Sequence, residues 1–211
     1  MIKRQSRIIS SDRVGKQRKQ KSKIVIAVEG TNKTERLYFN NFDDGKKPYS
    51  IVVAKGNTTD PVSMVKRLAE EIKRLGVDLD DGDEAFCIFD TDIDLKKNEA
   101  IQKAIKYADK NKIKIITSSP SIELWFYLHY KYTTASMTNT EVIKRLKEYF
   151  PKYEKNYDIY QEICDNTDIA VQRAKKLEKY HIDNKKKIGM VETNPNTEIY
   201  KVIECLKKYL I

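Results

Sequence analysis

The sequence predicts an α/β fold: a central, mostly parallel sheet of about four strands flanked by helices, and a helical C-terminal extension. Two patterns predict it. Short apolar runs, each suited to a strand buried on both faces, alternate with segments of helical spacing. The runs lie at residues 24–28, 51–54, 85–89 and 113–116. Beyond residue 120 only the helical spacing continues, so helices are expected to close the fold.

Local signals mark several helix ends. Pro61 suits a first helical turn after Asp60, and Gly76 can end that helix. Thr138 and Glu141 have the spacing of a capping box. From these patterns we expect three segments, namely an N-terminal arm at 1–20, an α/β domain at 21–135 and a helical extension at 136–211.

Length and composition exclude several classes of protein. The chain has 211 residues, 40% of them hydrophobic, which is enough for one α/β domain with an accessory piece. No apolar run approaches the ~18 residues of a membrane helix, so no membrane partner is expected. Three widely spaced cysteines and two histidines argue against a disulfide framework and against zinc chemistry. A reducing, cytoplasmic setting is the expectation.

The positive charge is concentrated at the N-terminus. Residues 1–23 hold nine Lys and Arg and one Asp, a net +8 of the total +10. Such an arm is typical of phosphate binding, so nucleic acid, either DNA or RNA, is the expected partner. The arginines assigned to this contact are Arg4, Arg7, Arg13 and Arg18. A tail that only aids solubility is the alternative interpretation.

Acidic residues follow two of the predicted strands. The first strand ends at Glu29, and the third ends at Asp90, Thr91 and Asp92. Because ligands of parallel sheets bind where the strands end, these carboxylates are expected to form one cluster within about 8 Å, a span that a hydrated Mg²⁺ can bridge. Mn²⁺ is a substitute, and Asp94 is a candidate outer ligand. The alternative is that these acids only form caps and turns.

Other polar positions carry weaker signals. Glu123 lies in a very apolar helix, where it either complements the helix dipole or faces the site. Lys33 stands at a helix entry that suits phosphate, with a solvated side chain as the equal alternative. Glu35 is interpreted as a helix cap and His129 as a satisfied, partly buried histidine. A row of tyrosines is interpreted as packing rather than base stacking: Tyr149, Tyr153, Tyr157 and Tyr160.

Five motifs, taken in order, resemble the RloB-like proteins, a bacterial Toprim-like group associated with phage defence. They are the basic leader, the apolar strand ending Val28-Glu29-Gly30 with Thr34-Glu35, Phe89-Asp90-Thr91-Asp92, Ser119-Pro120-Ser121-Ile122-Glu123-Leu124-Trp125 with Leu128-His129, and Asn194-Pro195-Asn196-Thr197. The resemblance covers nearly the whole chain. It implies a Toprim-like α/β domain at 21–135, with a Rossmann-like core, that uses Mg²⁺.

The resemblance also implies roles for the acids. Glu29 would be a general acid or base or a metal ligand, and Asp90 and Asp92 would hold the metal. The expected function is a Mg²⁺-dependent nuclease, with Glu123 as a further catalytic candidate, acting in anti-phage defence. The alternative is a non-catalytic subunit that binds nucleic acid or a partner ATPase, because the sequence has no G-x-x-x-x-G-K-[ST] motif of its own. Assembly as a homo-oligomer stays open.

Overall fold

The computed structural model describes residues 21–29, 33–54, 56, 58–91 and 97–210. The strands are β1 (Ser22–Val28), β2 (Tyr49–Ala54), β3 (Glu84–Asp90), β4 (Lys114–Ser119) and β5 (Asn196–Thr197). They form one sheet in the order β2-β1-β3-β4-β5. Strands β1 to β4 are parallel, and β5 is antiparallel to β4. The predicted α/β class and mostly parallel sheet are confirmed.

Helices cover both faces of this sheet. They are α1 (Lys33–Asn40), α2 (Pro61–Leu75), α3 (Lys97–Lys110), α4 (Glu123–Leu128), α5 (Asn139–Tyr149), α6 (Tyr160–Ile163), α7 (Thr167–Asp183) and α8 (Ile199–Lys208). Short 3-10 helices lie at Cys164–Asn166 and Val191–Thr193. No helix in the described segments is long and apolar enough to cross a membrane.

The two faces of the sheet bury separate sets of side chains, because alternate residues of a strand point to opposite faces. Val25 and Cys87 face α2 and α3 and pack with Leu68 and Ala104. The opposite face belongs to a larger core that includes residues of α1, α4, α5, α7 and α8. Burial on both faces explains why these strands appear in the sequence as continuous apolar runs.

Predicted helix ends agree with the structure. Asp60 caps α2 by accepting a hydrogen bond from the Ser63 backbone N–H at 2.8 Å. Gly76 ends that helix in the left-handed conformation, with φ of 59°. Thr138 and Glu141 form the capping box of α5.

The C-terminal segment contributes to the same core and the same sheet as the rest of the chain. Leu177 and Val202 belong to the core that contains Ile24 and Phe126. The segment also supplies β5, which lengthens the sheet beyond the four strands that the apolar runs indicate. The helical extension is therefore packed against the α/β core over its length and carries one strand of it.

Candidate functional site

The carboxyl edge, by which we mean the edge of the sheet where β1 to β4 end, gathers polar side chains. Strands β1 and β3 are adjacent and parallel, with Val28 in register with Ile88. Glu29 and Asp90 therefore leave the sheet side by side. The Asp90 backbone N–H donates a hydrogen bond to Glu29 Oε2 at 3.2 Å. The Glu29 carboxylate thus lies against the backbone of Asp90, the residue that the sequence assigns to the same site.

Lys97, the first residue of α3, adds a positive charge to this pair. Its Nζ lies 3.8 Å from Glu29 Oε1 and 3.5 Å from the Asp90 carbonyl oxygen. The Glu29 side chain is 13% exposed, so the ion pair is largely shielded from solvent and is weakened less by salt than a surface pair would be. Sequence reasoning missed Lys97, whose one signal is its position just after the acidic 90–94 segment.

A second group of acids lies on the side of β3 that carries α4. Glu123, the first residue of α4, is 3% exposed. Its Oε2 accepts a hydrogen bond from Ser121 Oγ at 2.6 Å, and its Oε1 accepts one from the Tyr153 hydroxyl at 3.1 Å. These two donors compensate for much of the cost of burying a carboxylate.

Tyr153 links Glu123 to the acids of the carboxyl edge. Burial, and then the charge and hydrogen bond of Glu123, raise the pKa of the Tyr153 phenol well above its ordinary value. The charges of Glu35 and Asp90 raise this pKa further. Three carboxylates from three elements therefore act on one hydroxyl, and its raised pKa keeps that hydroxyl protonated as a donor.

Glu35 is a second residue that sequence reasoning left outside the site. It lies in the first turn of α1, as a capping acid would, yet it is only 3% exposed. The signal that distinguishes Glu35 is its electrostatic effect on Tyr153, which sequence spacing does not encode.

Several predicted site residues lie outside the part of the chain that the structure describes. Asp92 and Asp94 fall in the omitted segment 92–96, and the side chain of Lys33 is omitted as well. The arm with its arginines falls in the omitted segment 1–20: Arg4, Arg7, Arg13 and Arg18. Their roles stay predictions.

The donors at the carboxyl edge suit a hard cation. Glu29 and Asp90 offer carboxylate oxygens, which Mg²⁺ prefers. Burial, followed by the charge of Glu29, raises the pKa of the neighbouring Cys87 thiol to about 12, so this sulfur stays protonated and is a poor ligand. Within the described residues no group of three or more His, Cys, Asp or Glu is placed to hold a metal.

His129 and the tyrosine row serve packing. His129 is 2% exposed, and burial lowers its pKa to about 4, so it is neutral near pH 7. Its Nδ1 lies 2.9 Å from the Trp125 carbonyl oxygen, whereas its Nε2 has no hydrogen-bond partner among the described residues, so the prediction of a satisfied, partly buried histidine is wrong on both points. Tyr149 stacks on Tyr130 at 5.2 Å between ring centroids, and Tyr160 meets Phe42 edge-on. Tyr153, from the same row, is the member that reaches the acidic group.

The fold and this carboxyl edge define a Rossmann-like α/β protein whose polar groups gather where the parallel strands end. The chain belongs to the family of RloB-like proteins, whose family model matches residues 24–206. The matched region begins in β1 and ends in α8, so it contains Glu29, Asp90, Lys97 and Glu123. Searches of curated proteins and of solved structures each found no match.

Proposed function

We propose that this chain is a Mg²⁺-dependent, Toprim-type nuclease that hydrolyses phosphodiester bonds of DNA or RNA in bacterial anti-phage defence, in the cytoplasm. The observation that carries the proposal is the contact between Glu29 and Asp90 at the ends of adjacent parallel strands, with Lys97 beside them. Carboxylates that can hold a cation, with a lysine beside them, suit metal-dependent hydrolysis of a phosphodiester. The free cysteines Cys87, Cys164 and Cys205 agree with a reducing compartment.

The side chains have distinct proposed roles. Asp90 and Asp92 hold the cation, with Asp94 as an outer ligand, and Glu29 either joins them or transfers a proton to or from the attacking water. When bound, Mg²⁺ supplies stabilisation of charge on the phosphate. Lys97 attracts the phosphate and limits repulsion between Glu29 and the Asp90 carbonyl group. Glu123, held in place by Ser121 and Tyr153, is proposed as a further carboxylate of the catalytic group.

The decisive experiment incubates the purified full chain with tRNA, plasmid DNA and single-stranded DNA, in Mg²⁺, Mn²⁺ or EDTA. We expect cleavage of at least one substrate in Mg²⁺ or Mn²⁺ and none in EDTA. Asp90→Asn should reduce the cleavage rate at least 100-fold while the unfolding temperature stays the same or rises, because it removes a charge from a group of like charges.

The matched control is Asp81→Asn. Asp81 is exposed in the turn before β3, at the opposite edge of the sheet, so this variant should cleave at the wild-type rate. Wild-type cleavage by Asp90→Asn would refute the metal site. If the wild-type chain binds nucleic acid but cleaves none under any of the cation conditions, the alternative is favoured. The chain would then be a non-catalytic subunit that binds nucleic acid or an ATPase.

A further inference from the structure

Two buried polar side chains at the carboxyl edge lack hydrogen-bond partners. Ser119 is 2% exposed and Asn196 is 1% exposed. Neither Ser119 Oγ nor the Oδ1 and Nδ2 atoms of Asn196 have a partner among the residues that the structure describes. A buried polar group left in this state costs about 1–3 kcal/mol, and nearly all such groups in native proteins are paired. Three buried polar atoms without hydrogen-bond partners at one place therefore require an explanation.

These two residues face each other across the β4–β5 ladder. Ser119 is in register with Asn196, and Ser118 is in register with Thr197. The second pair is satisfied, because the Ser118 and Thr197 hydroxyls lie 2.8 Å apart. The unsatisfied pair is thus confined to the end of β4, although the same two strands supply both pairs.

The position of the Ser119–Asn196 pair ties it to the acids. Asp90 is in register with Ser118, and the backbone N–H of Thr91 donates to the Ser118 carbonyl oxygen at 2.9 Å. Ser119 therefore lies one strand away from the end of β3, about 5 Å across the sheet, and Asn196 one strand further. A ligand held between Glu29 and Asp90 would extend along the carboxyl edge toward this pair.

The chemistry of the pair suits an anionic oxygen. The Asn196 amide has two N–H donors and Ser119 has one O–H donor, and neither side chain carries a charge. Donors of this kind bind the oxygens of a phosphate, whereas the carboxylates of Glu29 and Asp90 attract a cation. We propose that Ser119 and Asn196 form a phosphate-binding subsite of the carboxyl edge, which contacts a non-bridging oxygen of the nucleic-acid substrate. The identity of that phosphate rests on the proposed nuclease function.

A phosphate subsite has a consequence that a purely structural pair would not have. If the amide is unpaired in the free protein, Asn196→Leu, which keeps the size of the side chain and removes its polar atoms, should leave the unfolding temperature unchanged or raise it. The same variant should bind inorganic pyrophosphate about tenfold more weakly or worse, because a hydrogen bond to a charged group contributes about 1.5–3 kcal/mol. Ser119→Ala should shift both quantities in the same directions.

Asn194→Leu is the matched control. Both polar atoms of the Asn194 side chain are hydrogen-bonded within the fold. Its Oδ1 accepts a hydrogen bond from the Met137 N–H at 3.0 Å, and its Nδ2 donates one to the Met137 carbonyl oxygen at 2.7 Å. This variant should lower the unfolding temperature and leave pyrophosphate affinity unchanged. All the variants keep the basic arm, so any contribution of the arm to affinity cancels in the comparison.

The measurements are thermal unfolding and calorimetric titration of the full chain with inorganic pyrophosphate in Mg²⁺ buffer. Loss of stability in Asn196→Leu with unchanged affinity would overturn the proposal and assign the pair to a buried structural water. Failure of the wild-type chain to bind pyrophosphate would also overturn it. Because no bond is cleaved in this assay, Asn196-dependent binding by a chain that cleaves no nucleic acid would uphold the subsite and refute only the nuclease function.

Discussion

At the scale of single side chains, the Tyr153–Glu123 pair is the best-defined contact of the acidic group. Both partners are buried, at 0% and 3% exposure, and the hydroxyl donates directly to the carboxylate. The donor keeps its proton because burial and the neighbouring acids raise the pKa of Tyr153. The hydroxyl therefore stays a donor over the whole physiological range of pH, and its bond holds the Glu123 carboxylate in place.

Tyr153→Phe removes the hydroxyl that donates a hydrogen bond to Glu123 Oε1. We expect the free energy of unfolding to fall by about 2 kcal/mol, the usual contribution of a hydrogen bond to a buried charged group. Urea denaturation at pH 7 measures the change. Tyr149→Phe is the control: that tyrosine is 40% exposed, so its loss should cost less than about 0.5 kcal/mol. Equal effects of the two substitutions would show that Tyr153 acts through packing alone.

At the scale of the secondary-structure elements, the sequence predicted strands that appear as apolar runs and helices with apolar residues at helical spacing. It missed the short strand β5, which has neither pattern. The apolar runs at residues 24–28 and 85–89 became β1 and β3 because burial on both faces demands such runs. β5 has two residues, Asn196 and Thr197, which are too few to show an alternation of apolar and polar side chains. Its existence depends on the tertiary position of β4, which local sequence does not encode.

The candidate site likewise contains residues that the sequence predicted and residues that it missed. The adjacency of Glu29 and Asp90 followed from the rule that parallel strands end at one edge. The contribution of Lys97 did not, because its one signal, a position just after the acidic 90–94 segment, does not distinguish it in a lysine-rich chain. Glu35 resembles a capping acid in sequence, and its burial and its electrostatic effect on Tyr153 distinguish it only in the structure.

The end of α2 provides a test of local structure. Gly76 has φ of 59°, and a methyl group added there would meet no atom within 4 Å. The cost of Gly76→Ala therefore comes from the left-handed backbone alone, about 1–2 kcal/mol of unfolding free energy. Gly76→Asn should cost less, since asparagine tolerates this conformation. Chemical denaturation of the two variants checks the order, and an alanine variant as stable as the wild type would contradict it.

At the scale of the whole molecule, charge is divided between the arm and the body. The first 23 residues carry +8 of the total +10, so the remainder is nearly neutral. Deleting residues 1–20, which lie outside the described residues, should weaken nucleic-acid binding without regard to sequence. The dependence of log affinity on log salt should flatten by about 0.7–0.9 for each phosphate that the shortened chain no longer binds.

Fluorescence anisotropy at several salt concentrations, with the full and the shortened chain, measures this change in slope. Metal binding at the carboxyl edge should be unaffected by the deletion. Superimposable binding curves would show that the arm serves solubility or docks on another protein.

The pairing of β4 with β5 also sets the order in which the site can form during synthesis. The Ser118 and Thr197 hydroxyls that join these strands are 79 positions apart in the chain. A ribosome makes the chain from the N-terminus, so β1 to β4 can assemble while β5 is still untranslated. Until Asn196 emerges, the Ser119 end of the carboxyl edge has no partner strand. The nascent protein therefore carries its acids long before it carries the complete edge, which delays the proposed phosphodiester hydrolysis until Asn196 has been made.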